Sequence, residues 1–375
     1  MKKNKHKIRI ACGIIFLISQ ISLAALHLKI DDSSSINFGS IFRSYYINDQ
    51  RIQWSGVEAT FGVEAALTAD IQRKIKGGNV GVFSEIFLNQ PFDQNILTDE
   101  RREKYIPNFQ VTPCEIAQLF VGITKGSFSA ALGKKETNFG KPYSLPLLNS
   151  YLAQPFIRTE AILRYETGLF LTYDPGILDL SLAIVNGSEG MDTNSSKAGI
   201  IRLGLKGGNW ALGVSAKAQD GIGSENQKMY KNHAGLDLMV KAGRFRFSAE
   251  VIYDEYGFRK EYKEENIFWK RSLYYRDVFY KYETPVTGIG GYINLQYETR
   301  RWSVEVNYGE YYPEEIDSPF HDDPIKRGVV KLRIPFAPGF HLFCMGLFEN
   351  DRRAEDLFKG ASGFAFLLGL QYRID

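Results

Sequence analysis

The stretch Ala198-Gly-Ile-Ile-Arg-Leu-Gly-Leu-Lys-Gly-Gly-Asn-Trp-Ala-Leu-Gly-Val-Ser-Ala-Lys217 decides the fold, because it joins two alternating segments through a very short polar connection. From Trp210 onward every second residue is apolar, and the residues between them are small or polar up to Lys217. A period of two is typical of a β-strand with one apolar and one polar face. Gly207 and Gly208 supply turn chemistry, since glycine adopts positive φ without steric cost. The stretch therefore predicts an antiparallel hairpin.

Short connections of this kind alternate with long polar ones along the whole chain. Seven are very short, and all but one carry Gly or Pro: Lys76-Gly77-Gly78, Lys125-Gly126, Asp174-Pro175-Gly176, Lys206-Gly207-Gly208, Gly243-Arg244, Glu298-Thr299-Arg300 and Phe336-Ala337-Pro338-Gly339. Eight are long: 47–56, 89–115, 135–157, 187–197, 218–232, 257–285, 312–326 and 351–360. Tight turns on one side, long loops on the other and an even strand count are typical of a closed barrel in an outer membrane.

The fifteen connections predict an all-β fold, a transmembrane antiparallel β-barrel of about sixteen strands with long external loops and short periplasmic turns. The strands are predicted at 36–46, 57–75, 79–88, 116–124, 127–134, 158–173, 177–186, 198–205, 209–217, 233–242, 245–256, 286–297, 301–311, 327–335, 340–350 and 361–373. Most have close to the ~9–11 residues that a tilted membrane strand needs. We predict one barrel domain over 25–375, with no linker.

A soluble sandwich would show the same alternation, with the apolar face as its core, so a further feature is needed to choose between them. Aromatic residues on the apolar face lie next to the short turns: Phe128, Tyr173, Trp210, Phe245, Tyr297, Trp302 and Phe340. They predict an interfacial girdle at one height, which a sandwich does not require. Closure also hides the edges of so many apolar strands. Three apolar residues, Val185, Ile252 and Leu367, are exceptions on the polar face.

Residues 1–24 have the composition of a secretory signal peptide: a basic start, an apolar run over 10–23, and Ser22-Leu23-Ala24 as a cleavage site. The alternative is an uncleaved membrane anchor, for which the run is short. The leader holds five of the 46 basic residues and none of the 43 acidic ones, so the mature chain has a net charge of about −2. The basic balance of the full chain therefore gives no reason to expect a nucleic-acid partner.

The third long connection, 135–157, differs from the others because it is less charged and more apolar. It reads Glu136-Thr-Asn-Phe-Gly-Lys-Pro-Tyr-Ser-Leu-Pro-Leu-Leu-Asn-Ser-Tyr-Leu-Ala-Gln-Pro155. A solvated external loop has little use for the leucines at 145, 147, 148 and 152. We predict that it folds inward against the barrel wall as a constriction; the alternative is a loop packed across the mouth.

Charged residues are predicted to face the lumen near this loop. Strand parity from Leu169 and Leu171 turns Arg158, Glu160, Arg164 and Glu166 inward, while Lys135 and Lys141 lie in the first part of the loop and Arg202 points inward two strands on. These seven residues are the predicted pore-lining and constriction site. A transverse field at a narrow point selects solutes by charge. The alternative is that the charges only solvate the wall.

The pattern favours a passive diffusion channel, a porin, for small hydrophilic solutes or ions across the outer membrane, with no enzyme activity and no cofactor. Two alternatives remain: a barrel enzyme of lipase or protease type, and an adhesin that binds through its loops. His321-Asp322-Asp323 lacks further ligands at suitable spacing, so no metal site is predicted. The basic and aromatic loop 257–285 is interpreted as a salt-bridged external loop, placed to contact lipopolysaccharide phosphates. The predicted partners are therefore membrane lipid, lipopolysaccharide and small solutes, and no nucleic acid.

One part of the chain resembles a known family. Ala131-Leu-Gly-Lys-Lys-Glu-Thr-Asn-Phe-Gly140 is similar to the G-K/R-x-x-x-x-F-G segment that enters the constriction loop of the phosphate-selective porin O and P family. The segments 166–173, 180–187 and 192–197 look like the hairpin and the N-G…D-x-N-x-x-K loop that follow it. The resemblance implies a 16-stranded, typically trimeric channel in a diderm bacterium. The chain has no dense arginine ladder, so phosphate selectivity is not predicted.

Overall fold

The computed structural model describes residues 26–49, 59–90, 114–140, 165–187, 197–222, 229–258, 286–314, 324–350 and 363–374. Every regular element in these ranges is a β-strand, numbered in chain order: β1 Leu26–Lys29, β2 Ser34–Asp49, β3 Ala59–Ile75, β4 Gly78–Gln90, β5 Cys114–Lys125, β6 Phe128–Glu136, β7 Tyr165–Tyr173, β8 Leu178–Val185, β9 Ala198–Lys206, β10 Trp210–Ile222, β11 Met229–Ala242, β12 Phe245–Phe258, β13 Val286–Glu298, β14 Ser303–Glu314, β15 Ile325–Ala337, β16 Phe340–Asn350 and β17 Gly363–Ile374. None of the described residues forms a helix that could cross a membrane.

Sixteen long strands, β2 to β17, form a closed antiparallel barrel. Each strand pairs with the next along the chain, and β17 pairs back onto β2, where Leu368 lies opposite Tyr46. The predicted barrel and its strand count are therefore confirmed. Closure pairs both edges of every long strand, so the apolar strands offer no open edge for aggregation. Part of the predicted sixth strand, 158–164, lies outside the described residues, as does the predicted signal peptide.

The short strand β1 was not predicted. It pairs with β2 from Ser35 to Phe38, and β17 pairs with the same edge of β2 from Ser40 to Asp49. Two segments from distant parts of the sequence thus share one edge of β2. In the connection from β1 to β2, the hydroxyl and the backbone N–H of Ser33 both donate to the Asp31 carboxylate, and these hydrogen bonds hold the pKa of Asp31 below its usual range.

The outward face of the barrel is apolar, as the alternation predicted. Leu212 and Val214 on β10 are exposed, whereas the lumen-facing Ser215 beside them is buried. In a soluble protein so many exposed large apolar side chains would be a liability, whereas in a membrane they face lipid. Aromatic side chains next to the short turns touch one another, with ring centroids 4.6 Å apart for Phe245 and Tyr297 and 4.3 Å apart for Phe340 and Tyr372. These pairs have the contacts expected of a girdle on one rim.

Five of the six glycine turns have the predicted positive φ, at Gly77, Gly126, Gly176, Gly243 and Gly339. The prediction is wrong for the turn between β9 and β10, where neither Gly207 nor Gly208 has a positive φ. Gly243 adopts φ 59°, which a residue with a side chain rarely adopts. The connection after β13 contains no Gly or Pro, and here the Thr299 hydroxyl forms the turn. Its Oγ1 accepts hydrogen bonds from the N–H groups of Arg301 and Trp302, at 3.2 and 3.0 Å, and donates to the Trp302 carbonyl at 2.8 Å. A Ser/Thr turn therefore does here what glycine does elsewhere.

The three exceptions to the alternation face the lumen and are all buried: Val185 is 1 %, Ile252 0 % and Leu367 1 % exposed. Val185 and Ile252 belong to one apolar cluster on the lumen wall, which also contains Phe139 and Phe170. Leu367 on β17 lies opposite Met345 on β16, and both are buried. The lumen wall is thus mostly polar but carries apolar patches that are shielded from water.

Candidate functional site

The hairpin β9–β10 carries the centre of a buried polar network on the lumen wall. Arg202 lies opposite Ser215 in the hairpin register. Its guanidinium donates through Nη1 to Asp179 Oδ2 on β8 and through Nη2 to Asp237 Oδ1 on β11, both at 2.8 Å. The Nε atom donates to the second oxygen of Asp237 at 3.2 Å. The bidentate contact with Asp237 is the strong kind of ion pair, and the contacts of Arg202 together connect three strands: β8, β9 and β11.

Two glycines make room for the Arg202 side chain to lie flat against the wall. A Cβ on Gly204 would come within 2.6 Å of Nη1, and a Cβ on Gly213 would come within 2.3 Å of Nη2. The alternation of the hairpin therefore has small residues at the positions that flank the arginine. The side chain is only 4 % exposed, so it is shielded from water on the wall.

A second ion pair reaches further around the barrel. Lys217 on β10 donates to Glu166 on β7, and neither side chain is exposed to solvent. The strands β8 and β9 lie between the two. Since removal of one partner would leave an uncompensated buried charge, the pair fixes both side chains firmly in place.

The residues directly after β6 lie against these same strands. The backbone N–H of Gly140 donates to the Ser215 hydroxyl on β10 at 2.9 Å. The ring of Phe139 is fully buried and lies edge-on to the His233 ring on β11, with 6.5 Å between centroids. A Cβ on Gly235 would come within 2.8 Å of this ring, so the glycine forms the recess that holds it. The chain leaving β6 therefore runs across the lumen face to strands four and five positions further along the barrel.

Three of the seven predicted site residues lie in the described part of the chain. Glu166 and Arg202 are both in the buried network on the wall of β7 to β11. Lys135 stands over the rings of Phe120 and Phe170, with its Nζ 5.8 and 5.4 Å from their centroids. A cation held over aromatic faces is stabilised by the ring quadrupoles. Lys141, Arg158, Glu160 and Arg164 lie outside the described residues.

Sequence reasoning missed the partners in this network: Asp179, Ser215, Lys217, His233 and Asp237. Strand parity assigns Asp179, Ser215 and Lys217 to the polar face, but the contacts depend on the register between strands. Phe139 belongs to the third loop and to the segment that resembles the porin O and P family, but neither pattern predicts its contact with His233. Its recess at Gly235 has no signature in the sequence.

The opposite wall carries ion pairs of its own. Arg43 on β2 donates to Glu64 at 3.4 Å and to Gln371 at 3.3 Å, and its guanidinium stands 4.6 Å above the Phe343 ring. Lys331 on β15 donates to Glu305 at 3.1 Å. Each of Arg43, Arg202, Lys217 and Lys331 thus has a carboxylate partner on the lumen wall.

No cluster of three or more His, Cys, Asp or Glu side chains within the described ranges is placed to hold a metal ion, and His321-Asp322-Asp323 lies outside those ranges. Cys114 and Cys344 are free thiols. They form no disulfide that would restrain the barrel.

No protein-family model and no curated protein matches the chain. Solved structures do match, at low sequence identity. The outer membrane channel DcaP of Acinetobacter baumannii has a TM-score of 0.63 and 10 % identity, over 92 % of this chain and 99 % of that one. An anion-selective porin from Comamonas acidovorans has a TM-score of 0.58 and 11 % identity, over 91 % of this chain and 99 % of that one. The trimer form of OmpT from Vibrio cholerae has a TM-score of 0.61 and 9 % identity, over 91 % of this chain and 100 % of that one.

At this level of identity the likeness shows the fold, which is that of the outer-membrane β-barrels and of porins in general. Together with the apolar outer face, this places the chain in the outer membrane of a diderm bacterium, as predicted. The resemblance to the phosphate-selective porin O and P family in particular stays a prediction.

Proposed function

We propose that the chain is a passive diffusion channel, a porin, for small hydrophilic solutes or ions, and that residues 135–157 fold into its lumen as the constriction. The observation that carries the proposal is the position of Phe139 and Gly140 against the lumen faces of β11 and β10. A loop that starts in this direction crosses the channel and leaves less room for solutes. An external loop would have no reason to bury a phenylalanine inside the barrel.

The electrostatics of the wall support a channel of modest charge selectivity. Arg202 is matched by two carboxylates and Lys217 by one, so this part of the wall carries no excess of positive charge. Selection by charge would then depend on residues that project further into the lumen. Lys135, together with Lys141, Arg158, Glu160 and Arg164, is proposed for that role. Reversal of Arg158 and Arg164 to glutamate should shift the selectivity toward cations, and the shift should shrink at high salt.

We also propose that the channel assembles as a homotrimer and contacts lipopolysaccharide through its external loops. The trimer form of a structurally similar protein supports the first of these. The apolar outer face also supports a trimer, because it can pack against the outer face of another barrel as well as against lipid. The purified protein, run without boiling after cross-linking, should migrate as a trimer.

Single-channel recording in planar bilayers tests the function. The folded protein should give discrete conductance steps, and deletion of 143–152 should raise the conductance and admit larger sugars. Heat-dependent migration in gels confirms that the deleted form is still a barrel. If the protein gives no conductance steps but the same preparation hydrolyses lipid or peptide, the protein is a barrel enzyme and not a channel.

A further inference from the structure

A cavity of about 500 Å³ opens at the turn end of the barrel, between three consecutive hairpins. We call it the turn-end cavity. Its polar lining consists mainly of Arg244, Glu298, Arg300, Ser303, Arg333 and His341. The volume is in the range of sites for small molecules. It lies well away from the β7–β11 network, because its residues come from β13 to β16 and from the turn after β11.

The charge of the lining is strongly one-sided. Three arginines, Arg244, Arg300 and Arg333, line the cavity together with a single acidic residue, Glu298. The single ion pair among them, Arg333 Nη2 to Glu298 Oε1, is 3.5 Å long, with the two side chains 34 % and 57 % exposed. An exposed pair at this distance contributes little stability. An incoming anion can therefore take the place of Glu298 beside Arg333 at little cost.

The backbone beneath the cavity is held in place before any ligand arrives. The N–H of Glu298 donates to the carbonyl of Arg244 at 3.0 Å and so ties two neighbouring turns together. The Thr299 hydroxyl closes the turn that carries Arg300. Preorganised groups lose less freedom on binding, which makes a small cavity a better site.

We propose that the turn-end cavity binds a small oxyanion, with phosphate or carboxylate groups as the recognised chemistry. Guanidinium groups present planar pairs of N–H donors that match both groups bidentately. The Ser303 hydroxyl, which also lines the cavity, adds a further donor. The ligand is a soluble anion at the periplasmic mouth or the headgroup of a phospholipid at the rim, where Trp302 borders the cavity.

Isothermal titration calorimetry with inorganic phosphate, at low salt and on the folded barrel in neutral detergent, tests the proposal. Arg300→Gln combined with Arg333→Gln should weaken phosphate binding by roughly tenfold or more, because two charge-assisted contacts are lost. The matched control is Arg73→Gln with Lys125→Gln, which removes the same charge from exposed positions near the turns after β3 and β5, outside the cavity. It should change the affinity by about twofold at most, through long-range electrostatics alone.

Equal weakening in the two double variants, or no phosphate binding by the unaltered protein, overturns the proposal. A repeat in nanodiscs separates the two sources of the anion. Weaker phosphate binding with phosphatidylglycerol than with phosphatidylcholine alone assigns the cavity to lipid headgroups, and equal binding assigns it to soluble anions. Calorimetry measures anion binding whether or not the protein conducts. Bilayer recordings of the same preparation therefore distinguish a failure of the binding proposal from a failure of the proposed channel function.

Discussion

Replacement of Phe139 by alanine is the most direct test of how the chain enters the lumen. The ring is fully buried in the recess at Gly235, and removal of a buried phenylalanine ring typically costs about 3–5 kcal/mol. The hydrogen bond from Gly140 to Ser215 contributes only about 1 kcal/mol net. The ring is therefore the main anchor of this segment.

A loss of this size shifts the equilibrium between the attached and the detached segment by roughly 10²–10⁴-fold. Since the strands themselves are unchanged, we expect the barrel to stay folded while its constriction loosens. Phe139→Ala should give a higher mean conductance, more frequent large-conductance states and faster entry of large sugars. Ser215→Ala should do the same more weakly, because it removes only the hydrogen bond.

The matched control is Phe366→Ala, which removes the same ring from the outer face of β17. It should leave conductance unaltered although it removes apolar surface from contact with lipid. Heat-dependent migration shows whether the Phe139→Ala variant is folded. If it is folded and its conductance and sugar entry equal those of the original protein, Phe139 does not hold a constriction.

The other predictions concern the stability of the barrel, measured by urea titration in lipid vesicles. Leu212→Arg on the lipid face should lower the free energy of unfolding by about 2–4 kcal/mol, and Ser248→Arg on the lumen face should lower it much less. Equal losses of stability would mean that the two faces are assigned wrongly. Gly213→Ala should destabilise by about 2–4 kcal/mol, since a methyl group there collides with the Arg202 guanidinium; a neutral effect would contradict the close packing. Glu166→Gln should lower the free energy of unfolding by about 3–5 kcal/mol, because it leaves the buried Lys217 ammonium without a charged partner. Adding Lys217→Met to this variant should restore part of the lost stability. If the losses of the two single variants are additive, the two groups are not coupled.

The hairpin β9–β10 shows how much of this fold can be predicted from sequence. Its alternation, its short turn and the girdle position of Trp210 are all local features, so the sequence predicts the bounds of both strands to within five residues. The predicted end of β10, at 217, is too early, because the strand continues to Ile222. Ala218-Gln219-Asp220-Gly221 looks like a loop because it has no apolar face. The strand continues there because β11 pairs with it, which local pattern does not reveal.

The candidate site was only partly predictable, for a related reason. Parity of the strands predicts that Arg202 and Glu166 face inward, and in the structure both are buried in ion pairs. Their partners come from other strands: Asp237 from β11 and Lys217 from β10. Which side chains meet depends on the register of each pair and on the curvature of the wall. The same holds for β1, whose four residues become a strand only because an edge of β2 is available.

The apolar exceptions on the lumen face carry information that the regular positions do not. An apolar side chain that faces a wet lumen loses the stabilisation it would gain from burial, so it is expected to be covered. Val185 and Ile252 meet this condition, since they share a buried cluster with Phe139. Interruptions of the alternation on the polar face therefore mark where another part of the chain packs inside the barrel. Leu367 is buried together with Met345 on a different part of the wall, and it therefore indicates a second place where the lumen wall is covered.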